Sequence, residues 1–182
     1  MPLRNTPTRY GSLSISLHWL AALAVFGLFG LGFWMVGLSY YDPLRQSAPY
    51  WHKSIGIVLL LLMAIRAVWR VISPPPAPLP SHGPLTRRAS HLGHLALYLG
   101  VFVVMISGYL ISTADGRPIE VFGLFTVPAT VSGLPQQEDI AGAVHKYAAW
   151  ALVLFAGVHA LAALKHHVID RDSTLLRMFG RG

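Results

Sequence analysis

Four long apolar stretches, separated by short polar segments, dominate the chain. They run from about Leu13 to Val36, Tyr50 to Val71, His91 to Ile111 and Ala141 to Val168. A hydrocarbon core about 30 Å thick is crossed by about 20 residues of helix, and in lipid the backbone must satisfy its own hydrogen bonds. Each stretch is therefore predicted to be a transmembrane helix. The fold class is all-α: an integral membrane four-helix bundle, expected to form one domain over 1–182. The first stretch is long enough to span and is followed by more of the same, so it reads as a span and not as a cleavable signal peptide.

The polar segments set the expected orientation, because cytoplasmic loops retain Lys and Arg. Arg4 and Arg9 precede the first span, Arg70, Arg87 and Arg88 flank the link between the second and third, and Lys165, Arg171, Arg177 and Arg181 follow the fourth. The opposite loops carry Asp42, Arg45, Asp115, Arg117, Glu120, Glu138 and Asp139, a net acidic set. Both termini are therefore expected in the cytoplasm. Ser73 to Pro80 is proline-rich, which ends the second helix and favours an extended spacer. The loop from about Ser112 to Ile140 has turn chemistry at Ala114-Asp115-Gly116-Arg117-Pro118 and is expected to cap the bundle.

Composition sharpens this picture. The chain is 54% hydrophobic and only 12% charged, which places it among membrane proteins. Its formal charge of +7 would suit nucleic acid, but the basic residues sit at segment ends as topology requires, so no nucleic-acid partner is expected. There is no cysteine, which excludes disulfides, thiolate metal sites, covalent haem attachment and cysteine-ligated clusters. A bound transition metal is left with histidine.

His145 and His159 lie fourteen residues apart in the last apolar stretch. That spacing advances a helix by about 21 Å and returns the side chain to within about 40° of its starting face. Ionisable side chains inside a membrane span are by default functional, and imidazole is an axial haem ligand. His52, at the start of the second helix, is level with His145; His18, near the start of the first, is level with His159. Two bis-histidine haem sites result. His91 and His94 share a face at the cytoplasmic end of the third helix and are the main rivals to His18 as inner ligand. His166 and His167 read as interface residues, and His82 in the link carries no signal. Arg66 follows His52 by fourteen residues and needs an anion, a haem propionate or a quinone headgroup, unless it snorkels to the headgroups. Gly32 follows His18 by the same interval, and with Gly27, Gly30 and Gly56 it lets either a macrocycle or a helix come close. Lys53 and Lys146 each follow an outer histidine. They either balance propionates and attract an anionic donor or snorkel as ordinary interfacial lysines.

The ordered motifs resemble the bacterial cytochrome b561 family of four-helix, dihaem b membrane proteins. They are Ser16-Leu17-His18-Trp19, Trp51-His52-Lys53-Ser54-Ile55-Gly56, Leu92-Gly93-His94-Leu95-Ala96-Leu97-Tyr98, His145, Gly157-Val158-His159 leading to Ala163-Leu164-Lys165-His166-His167, and the tail Asp172 to Met178. The resemblance covers nearly the whole chain, as a single domain of that family. It implies two haem b with His18, His52, His145 and His159 as axial ligands, and electron transfer between an outer-face donor or acceptor and the membrane quinone pool. One branch oxidises superoxide and reduces ubiquinone; another serves as a subunit of hydrogenases and dehydrogenases. The run Tyr109 to Gly116 looks more like a less characterised branch than like the superoxide-oxidising one.

Three function classes follow. The first is a quinone-linked oxidoreductase acting alone, with ubiquinone or a similar quinone as partner. The second is a cytochrome b anchor that relays electrons for a separate dehydrogenase or a periplasmic redox partner, since the chain has no nucleotide-binding motif. The third is a haem-free, histidine-lined permease.

Overall fold

A computed structural model describes residues 1–181. The elements in chain order are α1 (Ser12–Met35), α2 (Ser47–Ile72), α3 (Pro84–Ser112), β1 (Ile119–Val121), β2 (Phe125–Val127), α4 (Gln137–Val168) and α5 (Thr174–Arg177). Helices α1 to α4 are each long and apolar enough to cross a membrane. Large apolar side chains point outward along all four, among them Leu23, Leu61, Leu99 and Leu161. In water such a surface would be an aggregation liability, whereas lipid solvates it.

Two helices begin earlier than the apolar runs alone predict. Helix α3 starts at Pro84, where proline's missing N–H costs nothing, and its first turns carry Arg87 and Arg88. Helix α4 starts at Gln137 with Glu138 and Asp139 in its first turn and ends with Lys165, His166 and His167 in its last. Both charge sets complement the helix dipole. Helix α2 stops at Ile72, just before Ser73 and the prolines.

The chain forms two compact units. The terminal unit holds Met1–Ala22, Leu62–Tyr98 and Leu154–Gly182, and the hairpin unit holds Leu23–Leu61 and Leu99–Val153. In the terminal unit the proline-rich link is more than a spacer, because both ends of the chain bind it. The Asn5 backbone N–H donates to Ser73 Oγ at 2.9 Å, and Asn5 Nδ2 donates to the Ser73 carbonyl at 2.8 Å. Ala77 N–H donates to the Pro7 carbonyl at 3.0 Å, while Arg177 donates to the Ala77 carbonyl at 2.9 Å. The tail then returns to α1, where Trp19 Nε1 donates to the Met178 carbonyl at 2.8 Å and the Trp19 ring stacks on Phe179.

In the hairpin unit the loop after α3 folds into an antiparallel hairpin with Glu120 opposite Thr126. Phe122 and Gly123 take positive φ of 52° and 69°, and Leu124 N–H donates to the Val121 carbonyl, as a primed hairpin turn requires. Ile119 and Val121 bury against Ile57 of α2. The fully buried Ser54 hydroxyl donates to the Glu120 carbonyl and accepts from Phe122 N–H, at 3.4 and 3.3 Å. Gln137, at the start of α4, donates through Nε2 to the Leu110 and Val131 carbonyls and accepts from Leu134 N–H. These bonds fix the ends of α2, α3 and α4 around a capping loop.

Candidate functional site

Each unit holds a pair of imidazoles about 6 Å apart. In the hairpin unit His52 of α2 and His145 of α4 have ring centroids 6.2 Å apart and planes inclined by 72°. In the terminal unit His18 of α1 and His159 of α4 have centroids 6.4 Å apart and planes inclined by 67°. A bond from a transition ion to imidazole nitrogen is about 2 Å long, and the ring centre lies about 1.1 Å beyond that nitrogen. Two imidazoles trans across one iron therefore have centroids about 6.2 Å apart. Both spacings match that value.

The surroundings of the first pair are arranged for the rings. His145 Nδ1 donates to the Val104 carbonyl at 2.8 Å, which places its proton there and leaves Nε2 as the free lone pair. Ser107 Oγ lies 3.3 Å from the same nitrogen and donates to the Val103 carbonyl at 2.7 Å. His52 Nδ1 is buried without a hydrogen-bond partner. Glycines provide the room: a Cβ at Gly32 of α1 would stand 3.1 Å from His52 Cε1, and one at Gly108 of α3 would stand 3.0 Å from His145 Cε1. Gly32 thus makes way for an imidazole. At Gly27, Gly30 and Gly56 a Cβ would meet nothing within 4 Å, so no neighbouring side chain packs there.

The second pair has a cationic neighbourhood. Arg66 Nε donates to the Tyr98 hydroxyl at 2.9 Å, and its Nη2 lies 3.2 Å from His18 Nδ1. Arg70 stands 6.0 Å from the Tyr98 ring centre. Arg66 is turned toward these side chains instead of extending to the headgroups, and its buried Nη1 has no partner. An unpaired guanidinium nitrogen in a span is a docking point for an anionic group. Two observations on the ligand at this level pull apart. His94 Nδ1 donates to the Ser90 carbonyl at 2.8 Å, leaving Nε2 bare, whereas Arg66 can only donate to His18 Nδ1. Yet the His94 and His159 rings are only 5.3 Å apart, too close to stand trans across one ion. The spacing is set by the helices and the Arg66 contact by a flexible side chain, so the geometry favours His18.

Lys53 and Lys146 are exposed and form no hydrogen bond or salt bridge among the described residues; Lys146 Nζ sits 5.9 Å from the Tyr147 ring centre. Sequence reasoning missed Gly108, whose only signal is its place on α3 opposite a histidine of another helix. It also missed His82, which joins His166 and Asp172 in a cluster in the terminal unit.

Four apolar spans carrying paired, half-buried imidazoles at iron-bridging distance define a membrane haem protein. The family model for prokaryotic cytochrome b561 matches residues 9–181. The chain is 58% identical to cytochrome b561 homolog 2 of Escherichia coli strain K12, over all of this chain and 96% of that protein. It is 32% identical to a protein of Yersinia pestis named probable superoxide oxidase CybB, over 93% of this chain and 95% of that one, and 28% identical to Escherichia coli cytochrome b561 homolog 1, over 95% and 98%. The chain belongs to the prokaryotic cytochrome b561 family: it is a multi-pass bacterial inner-membrane protein that carries haem b and transfers electrons.

One prediction comes from the glycine contacts. Alanine is worth about 1 kcal/mol more than glycine in a helix interior, but a methyl group at Gly108 would push the His145 ring off its position. Gly108→Ala is expected to lose haem, read as Soret absorbance per mole of protein, while helical circular dichroism is kept. Gly83→Ala, with open space around it, is expected to retain full haem.

Proposed function

We propose that the protein carries two haem b, one between His52 and His145 and one between His18 and His159, and connects an outer-face electron donor to the membrane quinone pool. What carries this reading is the presence of two imidazole pairs at 6.2 and 6.4 Å, each inside its own compact unit. Bound haem b supplies one-electron chemistry. The chain supplies the rest. Histidine on both axial positions leaves none for oxygen, which restricts the protein to outer-sphere transfer. The Val104 carbonyl keeps the His145 proton on Nδ1 and makes Nε2 a better ligand. Arg66 and Arg70 balance the negative charge of a propionate or of a quinone headgroup being reduced, and Tyr98 orients Arg66. The basic flanks support a cytoplasmic position for both termini and for the His18 and His159 pair.

The Yersinia relative's name suggests superoxide as donor. Two superoxide anions would each give up one electron to become dioxygen, and one ubiquinone would take two electrons and two protons to become ubiquinol. Exposed Lys53 and Lys146 beside the outer ligands suit an anionic donor.

Haem counting tests the ligand set. The purified protein is expected to hold two haem b per chain by pyridine haemochrome assay, and one after His52→Ala, His145→Ala, His18→Ala or His159→Ala. Full content in His18→Ala with half lost in His94→Ala would move the inner ligand to His94. A haem-free purified protein would return the permease reading.

Salt dependence tests the donor. Lys53→Gln with Lys146→Gln should slow reduction by superoxide about tenfold at low ionic strength and flatten its salt dependence. Reduction by a neutral quinol should stay unchanged. Equal slowing with both donors would mean disturbed propionates, and no reduction by superoxide in the unmodified protein would leave a relay for a partner dehydrogenase or periplasmic protein.

A further inference from the structure

Away from the imidazole pairs, the terminal unit brings together three side chains from three separate stretches: His82 from the link before α3, His166 from the last turn of α4, and Asp172 from the segment before α5. Their ligand atoms all lie within 4.8 Å of one another. His82 Nε2 and His166 Nδ1 converge on the same oxygen, Asp172 Oδ2, at 2.9 and 3.3 Å. Around a tetrahedral ion with bonds of about 2.0 Å, neighbouring ligand atoms stand about 3.3 Å apart. The side chains are 15%, 19% and 10% exposed, sheltered enough to hold an ion yet reachable from solvent. Asp170 Oδ2 lies 2.7 Å from His166 Nδ1 but outside this mutually close set, and Lys165 holds the same oxygen at 2.7 Å.

The Asp172 carboxylate is also held in place by Thr174, whose backbone N–H donates to Oδ1 at 2.8 Å. His166 Nδ1 is buried and makes no well-directed hydrogen bond, despite two carboxylates close by.

We propose that His82, His166 and Asp172 form a structural site for a divalent first-row transition ion such as Zn²⁺, with solvent completing its shell. Two imidazoles and a carboxylate suit Zn²⁺ and its neighbours, whereas Ca²⁺ and Mg²⁺ require an all-oxygen shell. The ion would pin the tail to the link and to the end of α4. The tail continues into Met178 and Phe179, which bind Trp19, and the Trp19 ring lies 5.2 Å from His18. Occupancy would thus steady the segment covering the start of α1. The competing account is a metal-free network of histidine and carboxylate ion pairs.

The test uses the haem-loaded protein, purified without a histidine tag, stripped with chelator and then equilibrated with Zn²⁺. About one Zn²⁺ per chain should survive desalting, the thermal midpoint should rise, and hydrogen exchange should slow over residues 172–179. His82→Ala with Asp172→Asn should weaken Zn²⁺ retention by at least about tenfold and abolish the thermal shift at unchanged haem content, while His91→Ala keeps both. Equal Zn²⁺ in the double variant and the unmodified protein, or none in either, would overturn the site. Zn X-ray absorption on the unmodified protein is independent of how the variants fold. Two imidazole ligands are expected, and a shell without imidazole would overturn the proposal.

Discussion

The separation of facing imidazoles is the constraint on which the structure depends. A histidine in an apolar span loses hydration and must find a partner. Here each of four does so by meeting another ring across a gap of the width one iron would span. Lipid removes the hydrophobic drive that would press helices together in water, and the four long helices bury few side chains against one another. In such a bundle a shared ligand can hold what packing does not.

Around each pair the chain divides its work differently. In the hairpin unit the backbone does it: the Val104 carbonyl orients His145, two glycines clear the rings, and the hairpin locks α2 two residues after His52 through Ser54. In the terminal unit side-chain charge does it, with Arg66, Arg70 and Tyr98 beside His18. A neutral, tightly oriented pair suits a site that accepts electrons from outside. A cationic one suits a site where a quinone gains negative charge. The tail and link of that unit are tied to each other, to Trp19 beside His18 and to the first residues of the chain.

Much of this was legible in the sequence, because lipid leaves few choices. Apolar runs of spanning length located four helices, and the fourteen-residue interval put His145 and His159 on one face of α4. The depth argument also paired His52 with His145 and His18 with His159, the pairs that stand 6.2 and 6.4 Å apart. The helix starts at Pro84 and Gln137 were less legible, since polar first turns resemble loop. Strands of three residues leave no periodic trace, so Ile119–Val121 and Phe125–Val127 read as an irregular cap. The contact between Gly108 and His145, and the meeting of His82 with Asp172 ninety residues away, arise only in tertiary structure.

The central claim is that two irons each sit between two histidines whose planes are steeply crossed. Low-temperature electron paramagnetic resonance of the oxidised protein addresses it most directly. Histidine on both sides makes ferric haem low-spin, and planes inclined by 72° and 67° leave two iron orbitals nearly degenerate. The account predicts two strongly anisotropic low-spin signals that integrate to two irons per chain. A high-spin ferric signal, or low-spin intensity amounting to one iron per chain, would contradict it.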